Sequence, residues 1–126
     1  MISEVSFFKP MNTLESIYQL YLSNPAISTD SRSVHEGSIF FALKGETFDG
    51  NKFAKNAIKS GAIAAIVDDP EIKESGCIYV KSVLETLQNL STLHRRALDT
   101  KVLAITGSNG KTTTKELVSS VLSKKY

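Results

Sequence analysis

The stretch "SIFFALKG" (residues 38–45) runs through five apolar residues and stops at a lysine and a glycine. Extended, it has no polar face, so it reads as a strand buried on both sides, the habit of parallel sheets. "AIAAIVDD" (62–69) repeats the pattern and closes at Asp69-Pro70. Between them lie a loop, "ETFDGN" (46–51), and a helix, "NKFAKNAIKSG" (51–61). That helix turns Phe53, Ala54, Ala57 and Ile58 inward and stops at Gly61. "CIYVK" (77–81) reads as a further strand. "SVLETLQNLSTLHRRAL" (82–98) reads as an amphipathic helix, with Leu84, Leu87, Leu90 and Leu93 along one side. Upstream, "NTLESIYQLYLSN" (12–24) is a first helix capped by Asn12 with Glu15 as partner, its stripe formed by Leu14, Ile17, Tyr21 and Leu22. Pro25 ends it, and "AISTDSR" (26–32) is a short extended piece followed by a polar turn. "KVLAIT" (101–106) is expected to be the last strand and "TTTKELVSSVLSKK" (112–125) the last helix. Alternating strands and helices make an α/β fold, with a mixed, largely parallel sheet and flanking helices. The polar "DTK" (99–101) marks a boundary, with one domain over 1–99 and the start of another over 100–126.

Composition narrows the function classes. A hydrophobic fraction of 41% and a charged fraction of 22% are those of a folded globular chain. The net charge of +2 gives no argument for nucleic acid or an anionic membrane surface. No apolar run approaches the ~20 residues of a membrane span. "MISEVSFFKP" lacks the basic start and long apolar core of a secretion signal, so a cytoplasmic location is expected. Cys77 is the only cysteine, which excludes an internal disulfide and a cysteine metal cluster. Lying in an apolar run, it reads as a buried structural thiol.

The chemistry concentrates in "AITGSNGKTTTKEL" (104–117), where an expected strand meets an expected helix across a glycine loop. Glycines let backbone amides turn toward a phosphate, and the helix dipole favours the same charge. Gly107, Ser108, Asn109, Gly110, Lys111, Thr112 and Thr113 form that loop. Lys111 is placed to neutralise β- and γ-phosphates, and the Thr112 hydroxyl stands where such loops ligate Mg2+. The common loop has four residues between its first glycine and Gly-Lys-Thr; counting back five from Gly110 gives Ile105, so the glycine pair here is shorter. The roughly 25 residues from Lys101 onward are fewer than the ~40 at which a domain usually folds unaided. The segment is therefore expected to open a longer ATPase domain, or else to complete the preceding sheet.

With its short glycine spacing, "TGSNGKTTTKE" (106–116) resembles the ATP-binding loop of the Mur ligases, ATP-dependent amide-forming enzymes of cell-wall precursor synthesis. Folylpolyglutamate synthetase carries a similar loop but no dedicated UDP domain. Upstream, Asp30-Ser31-Arg32, Gly37, Phe40-Phe41-Ala42, Gly45, Asp49-Gly50, Phe53 and Gly61-Ala62 match the skeleton of the family's N-terminal UDP-binding domain. "FALKGETFDGN" (41–51) and Lys115-Glu116 look most like the type that adds D-Ala-D-Ala, and next like the type that adds the third amino acid. The resemblance implies that ATP phosphorylates the carboxylate of UDP-N-acetylmuramoyl-tripeptide, that the amine of D-Ala-D-Ala attacks the acyl phosphate, and that Mg2+ assists. It also implies further domains downstream, so this chain alone is expected to bind the UDP end of the substrate and not to turn over.

The family match makes Thr29 and Ser31 uracil-side contacts, and Glu46, Thr47 and Phe48 the loop that closes on the nucleotide. Phe48 offers a flat apolar face. Arg32 and Lys44 are cations for the diphosphate or for fixing the loops. Taken alone, Asp30-Ser31-Arg32 equally fits a turn with a surface ion pair, and Asp49-Gly50 is a turn device. His94-Arg95-Arg96 reads as a solvated helix end, Lys52, Lys55 and Lys59 as a wet face, and Tyr18 and Tyr21 as core or interface. A stand-alone anion-binding module and a P-loop kinase are the competing classes.

Overall fold

The computed structural model describes residues 13–125. Four strands form one sheet in sequence order: β1 (Ile27–Ser28), β2 (Ile39–Phe41), β3 (Ala64–Val67) and β4 (Cys77–Tyr79). Every pairing is parallel: Ile27 lies beside Ile39, Phe40 beside Ala65 and Ile66 beside Ile78. The sheet is thus all-parallel rather than mixed. The only antiparallel pairing among the described residues is an isolated bridge between Lys44 and Asp49.

Among the described residues four α-helices accompany it: α1 (Thr13–Ser23), α2 (Ala54–Lys59), α3 (Val83–Ala97) and α4 (Lys111–Leu122). Alternation along β2 and β3 divides their side chains between two cores. Ile39, Phe41, Ala64 and Ile66 pack with Ile17 of α1 and with Val83 and Leu90 of α3. Phe40, Ala42, Ala65 and Val67 pack with Ala54 and Ala57 of α2. The alanines of α2 let that helix lie close to the sheet, while Phe40 fills the space from the strand side. Phe40 and Phe41 are fully buried, and each such burial is worth about 1.5–3 kcal/mol, so strands of three or four residues suffice.

The helix stripes differ in detail from expectation. Leu84 is 54% exposed, and the inward line of α3 is Val83, Leu87, Leu90 and then His94. Ser82 caps this helix by accepting the Glu85 N–H at 3.2 Å, which starts it at Val83. His94 is only partly exposed, its ring meeting Tyr21 edge-on at 5.0 Å between centroids and Tyr18 at 6.0 Å, while Arg95 and Arg96 face solvent as expected. Tyr18 and Tyr21 form the α1–α3 interface, as their sequence positions suggested. In α1, Leu22 faces solvent and Tyr18 takes its place beside Ile17. The cap assigned to Asn12 lies outside the described residues.

"KVLAIT" is not a strand. Val102 and Leu103 are 68% and 64% exposed. An extended segment becomes a strand only when a neighbour takes up its N–H and C=O groups, and no described strand flanks this one. Leu103 and Ile105 instead line a hollow against Val118 and Leu122 of α4.

The connection from β2 to α2 is tight. Gly50 donates its N–H to Leu43 O at 2.9 Å, and a Cβ there would meet Leu43 O at 2.6 Å and the Ala42 carbonyl carbon at 2.7 Å. Gly45 has nothing within 4 Å of its Cβ position. Gly50→Ala is therefore expected to cost roughly 2 kcal/mol through forced backbone shifts, and Gly45→Ala far less. Urea denaturation of both variants checks this; equal midpoints would contradict it.

Candidate nucleotide site at the carboxyl edge of the sheet

In an open parallel sheet, ligands settle beyond the carboxyl ends of the strands, where loops diverge. Here β1 runs into Thr29–Arg32, β2 into Lys44–Asp49, and β3 into Asp68. The first two loops meet: Thr29, Asp30, Ser31 and Arg32 line a cavity of about 510 Å³ together with Phe48 and Phe53. Thr29, Ser31, Arg32 and Phe48, matched to a UDP site from the sequence, are thus brought together. Glu46 and Thr47 line a neighbouring hollow of about 260 Å³ with Gly45, Phe48, Asp49 and Lys52.

Local chemistry shapes each wall. Ser28, buried at the end of β1, donates from Oγ to Asp30 O at 2.8 Å and lies 3.0 Å from Ser33 Oγ. Asp30 then caps a single 3-10 turn over Ser31–Ser33, accepting the Arg32 N–H at 2.9 Å. The Arg32 guanidinium grips the same carboxylate, Nε to Oδ1 at 3.0 Å and Nη2 to Oδ2 at 2.7 Å. These bonds lower the Asp30 carboxyl to about 2. Both side chains face water, so the pair orders the loop rather than stabilising the fold. Opposite, Phe48 is 44% exposed and stacks on Phe53, centroids 5.3 Å apart and planes 10° from parallel. A ring held this way is a preset flat surface.

The loop carrying Phe48 is anchored by residues that the sequence did not single out. Asn51 is buried, and its Nδ2 donates to Asp49 Oδ1 and to Asp68 Oδ1, both at 2.9 Å. Its Oδ1 accepts the Asp68 N–H at 3.1 Å. Asp68 Oδ2 accepts the Val83 N–H at 3.2 Å, satisfying an amide in the first turn of α3 where negative charge is favoured. Lys44 Nζ lies 3.3 Å from Asp68 Oδ1, and Lys44 is not among the residues lining the larger cavity. Asp49 caps its own turn by accepting the Asn51 N–H at 3.0 Å, so Asp49 and Gly50 are turn devices. A legible signal did exist: an aspartate directly after an apolar strand stands at the carboxyl edge of a parallel sheet.

The second phosphate-type feature sits at the N-terminus of α4. Gly110 caps the helix in the left-handed region at φ 76°, with no side chain capping the first turn. Gly107 is also left-handed, at φ 146°. Lys111, Thr112 and Thr113 form the exposed first turn. Among the described residues, no group of three or more His, Cys, Asp or Glu is placed to hold a metal, and no helix is long and apolar enough to cross a membrane.

Residues 25–112 match the Mur ligase family, catalytic domain. The chain belongs to the Mur ligase family. It is similar to the UDP-N-acetylmuramoyl-tripeptide–D-alanyl-D-alanine ligase of Bacillus subtilis, 38% identical over 104 residues, covering 79% of this chain and 22% of that one. It is also similar to the UDP-N-acetylmuramoyl-L-alanyl-D-glutamate–2,6-diaminopimelate ligase of Halalkalibacterium halodurans, 30% identical over 122 residues, 90% of this chain and 25% of that one. Among solved structures, the MurF ligase of Thermotoga maritima in complex with ADP aligns with TM-score 0.69 and 35% identity over 79% of this chain and 23% of that one. This Mur ligase chain thus spans about a fifth to a quarter of the length of these relatives.

Burial alone would raise the Asp68 carboxyl, but the bonds from Asn51, the Val83 N–H and Lys44 outweigh it and the net direction is down. The Asn51 amide does the same for Asp49. Both carboxyls ionise more readily folded than unfolded. Their stabilisation is complete above the unfolded value of about 3.9 and is lost as pH falls through the lower folded values. Unfolding free energy is expected to stay level from about pH 7 to 5 and to drop below about pH 4. Asp68→Asn should flatten that acid limb; an unchanged limb, read by denaturant titration across pH, would contradict the assignment.

Proposed function

We propose that this chain supplies the UDP-binding unit and the ATP-phosphate loop of an ATP-dependent ligase that joins D-Ala-D-Ala to UDP-N-acetylmuramoyl-tripeptide. The carrying observation is the cavity at the carboxyl edge, where the loop after β1 meets the Phe48–Phe53 stack. It offers a flat apolar face, the hydroxyls of Thr29 and Ser31, and the Arg32 cation, the three kinds of group a uridine diphosphate calls for. Residues 1–99 are read as the UDP-binding domain, and 100–126 as the opening of an ATP-binding domain. Identities of 34–41% to D-alanyl-D-alanine ligases, against 30–35% to diaminopimelate ligases, favour the dipeptide as the added group over the third amino acid.

Residues 107–113 suit the phosphates of ATP. The first turn of α4 has no side-chain cap, and Gly107 and Gly110 take positive φ in the loop that leads into it. Lys111 neutralises phosphate charge as it develops during transfer, a role of positioning and electrostatics rather than covalent chemistry. The Thr112 hydroxyl fits as one oxygen ligand of Mg2+, which takes several more from phosphate and water. When bound, that ion supplies charge neutralisation at the transferred phosphoryl group. Transfer of the γ-phosphoryl group to the tripeptide carboxylate releases ADP, and attack of the D-Ala-D-Ala amine on the resulting acyl phosphate forms the amide with loss of inorganic phosphate and a proton. A cytoplasmic location goes with this reading, because ATP and a nucleotide-linked precursor are its substrates.

Calorimetry with UDP tests the first half: binding is expected, and Phe48→Ala should weaken it by roughly 10-fold through loss of the stacking face. Absence of UDP binding, or an unaltered Phe48→Ala, would reject the site. In a ligase-active chain, Lys111→Ala should lower turnover by about 10²–10³ with the fold intact. Unchanged ADP release would reject the loop assignment.

A further inference from the structure

Lys44 carries a formal charge suited to a diphosphate, yet its position points elsewhere. The loop from Lys44 to Asp49 is a closed unit: Lys44 and Asp49 bridge its base, and the Gly45 N–H donates to Phe48 O at 2.8 Å across it. Both roots of that loop converge on one oxygen. Asp68 Oδ1 takes Lys44 Nζ at 3.3 Å from one root and Asn51 Nδ2 at 2.9 Å from the other, where Asn51 also holds Asp49. The second oxygen, Oδ2, is bonded to the Val83 N–H at the start of α3. The Asp68 side chain is 17% exposed, and it does not line the larger cavity.

We propose that Asp68 is a positioning residue for nucleotide binding: it fixes both roots of the Phe48 loop, and Lys44 serves the uridine site through Asp68 rather than by touching phosphate. This rests on the nucleotide reading above for its binding half only. Phe48 stands on the loop so held and stacks on Phe53, two residues after Asn51 in the same 3-10 turn. Loosening either root lets the ring leave the stack, so the cost falls on the base-binding face and is the same whether or not the ligand carries phosphates. A direct phosphate contact would behave oppositely, affecting UDP and sparing uridine.

The test uses Asp68→Asn, which keeps the shape and an acceptor oxygen, and Lys44→Met, which keeps the stem and removes the charge. In each, amide hydrogen exchange at Gly45 is expected to accelerate by roughly two- to fivefold, the scale of a part-exposed ion pair. Exchange at Ile39 and Ala65, bonded to Ala26 O and Gly76 O in the sheet, stays slow. The double variant should exchange no faster than Asp68→Asn alone, because Lys44 acts on the loop through Asp68. Unchanged Gly45 exchange in both variants, or additive effects, would overturn the anchoring. Calorimetry with uridine and with UDP supplies the second arm: Lys44→Met should weaken both by the same factor, about two- to fivefold. Weakening of UDP alone would overturn the indirect role of Lys44. Should the unaltered protein bind neither ligand, the nucleotide reading fails, while the exchange arm still decides whether Asp68 holds the loop.

Discussion

Two short strands without a polar face constrain everything else. Ile39–Phe41 and Ala64–Val67 are buried on both sides, so each must be flanked by strands in the sheet and covered above and below by helices. That requirement produces three layers, with α1 and α3 on one face and α2 on the other. It also closes both faces to ligands. What remains open is the carboxyl edge, where the strands release their loops in the same direction because all of them are parallel.

At that edge, loops need fixing by polar groups, since the apolar core ends with the strands. Buried polar atoms are tolerable only when fully bonded. Asn51 meets this by using both amide hydrogens and its oxygen on two aspartates. The Asp68 carboxylate in turn serves three elements, and its charge suits the helix end it caps. The same logic runs at smaller scale after β1, where Ser28 and Asp30 order one turn and Arg32 pairs with Asp30. The candidate cavity lies between these two internally bonded loops, so its walls are set before any ligand arrives.

Much of the fold was legible in the sequence because apolar continuity is a direct statement of burial. "SIFFALKG" and "AIAAIVDD" gave their strands, and the helices of 13–23, 83–97 and 111–122 followed from period and breaks. The sheet's uniform direction was only partly legible, since pairing direction is not written in either strand alone. "KVLAIT" misled for a related reason: its pattern states a readiness to pair, and pairing needs a partner. On α3 two stripes competed, and the one ending in His94 prevailed because its ring fits Tyr18 and Tyr21, a long-range fact. In the site, Thr29, Ser31, Arg32 and Phe48 came from family resemblance and meet in one cavity. Asn51, Asp68 and the stacking role of Phe53 were missed, because their meaning depends on residues 17 positions away or on the turn that sets two rings face to face.

The chain therefore carries two features suited to anions, built differently: a preset cavity between loops at the sheet edge, and the bare first turn of a helix after glycines. The central claim is that the uridine nucleotide belongs to the first and not to the second. Backbone amide chemical-shift mapping on addition of UDP addresses it most directly. The account predicts shifts concentrated at residues 29–32 and 45–53, with 107–113 little changed. Shifts confined to 107–113, or no shifts around Phe48, would contradict it.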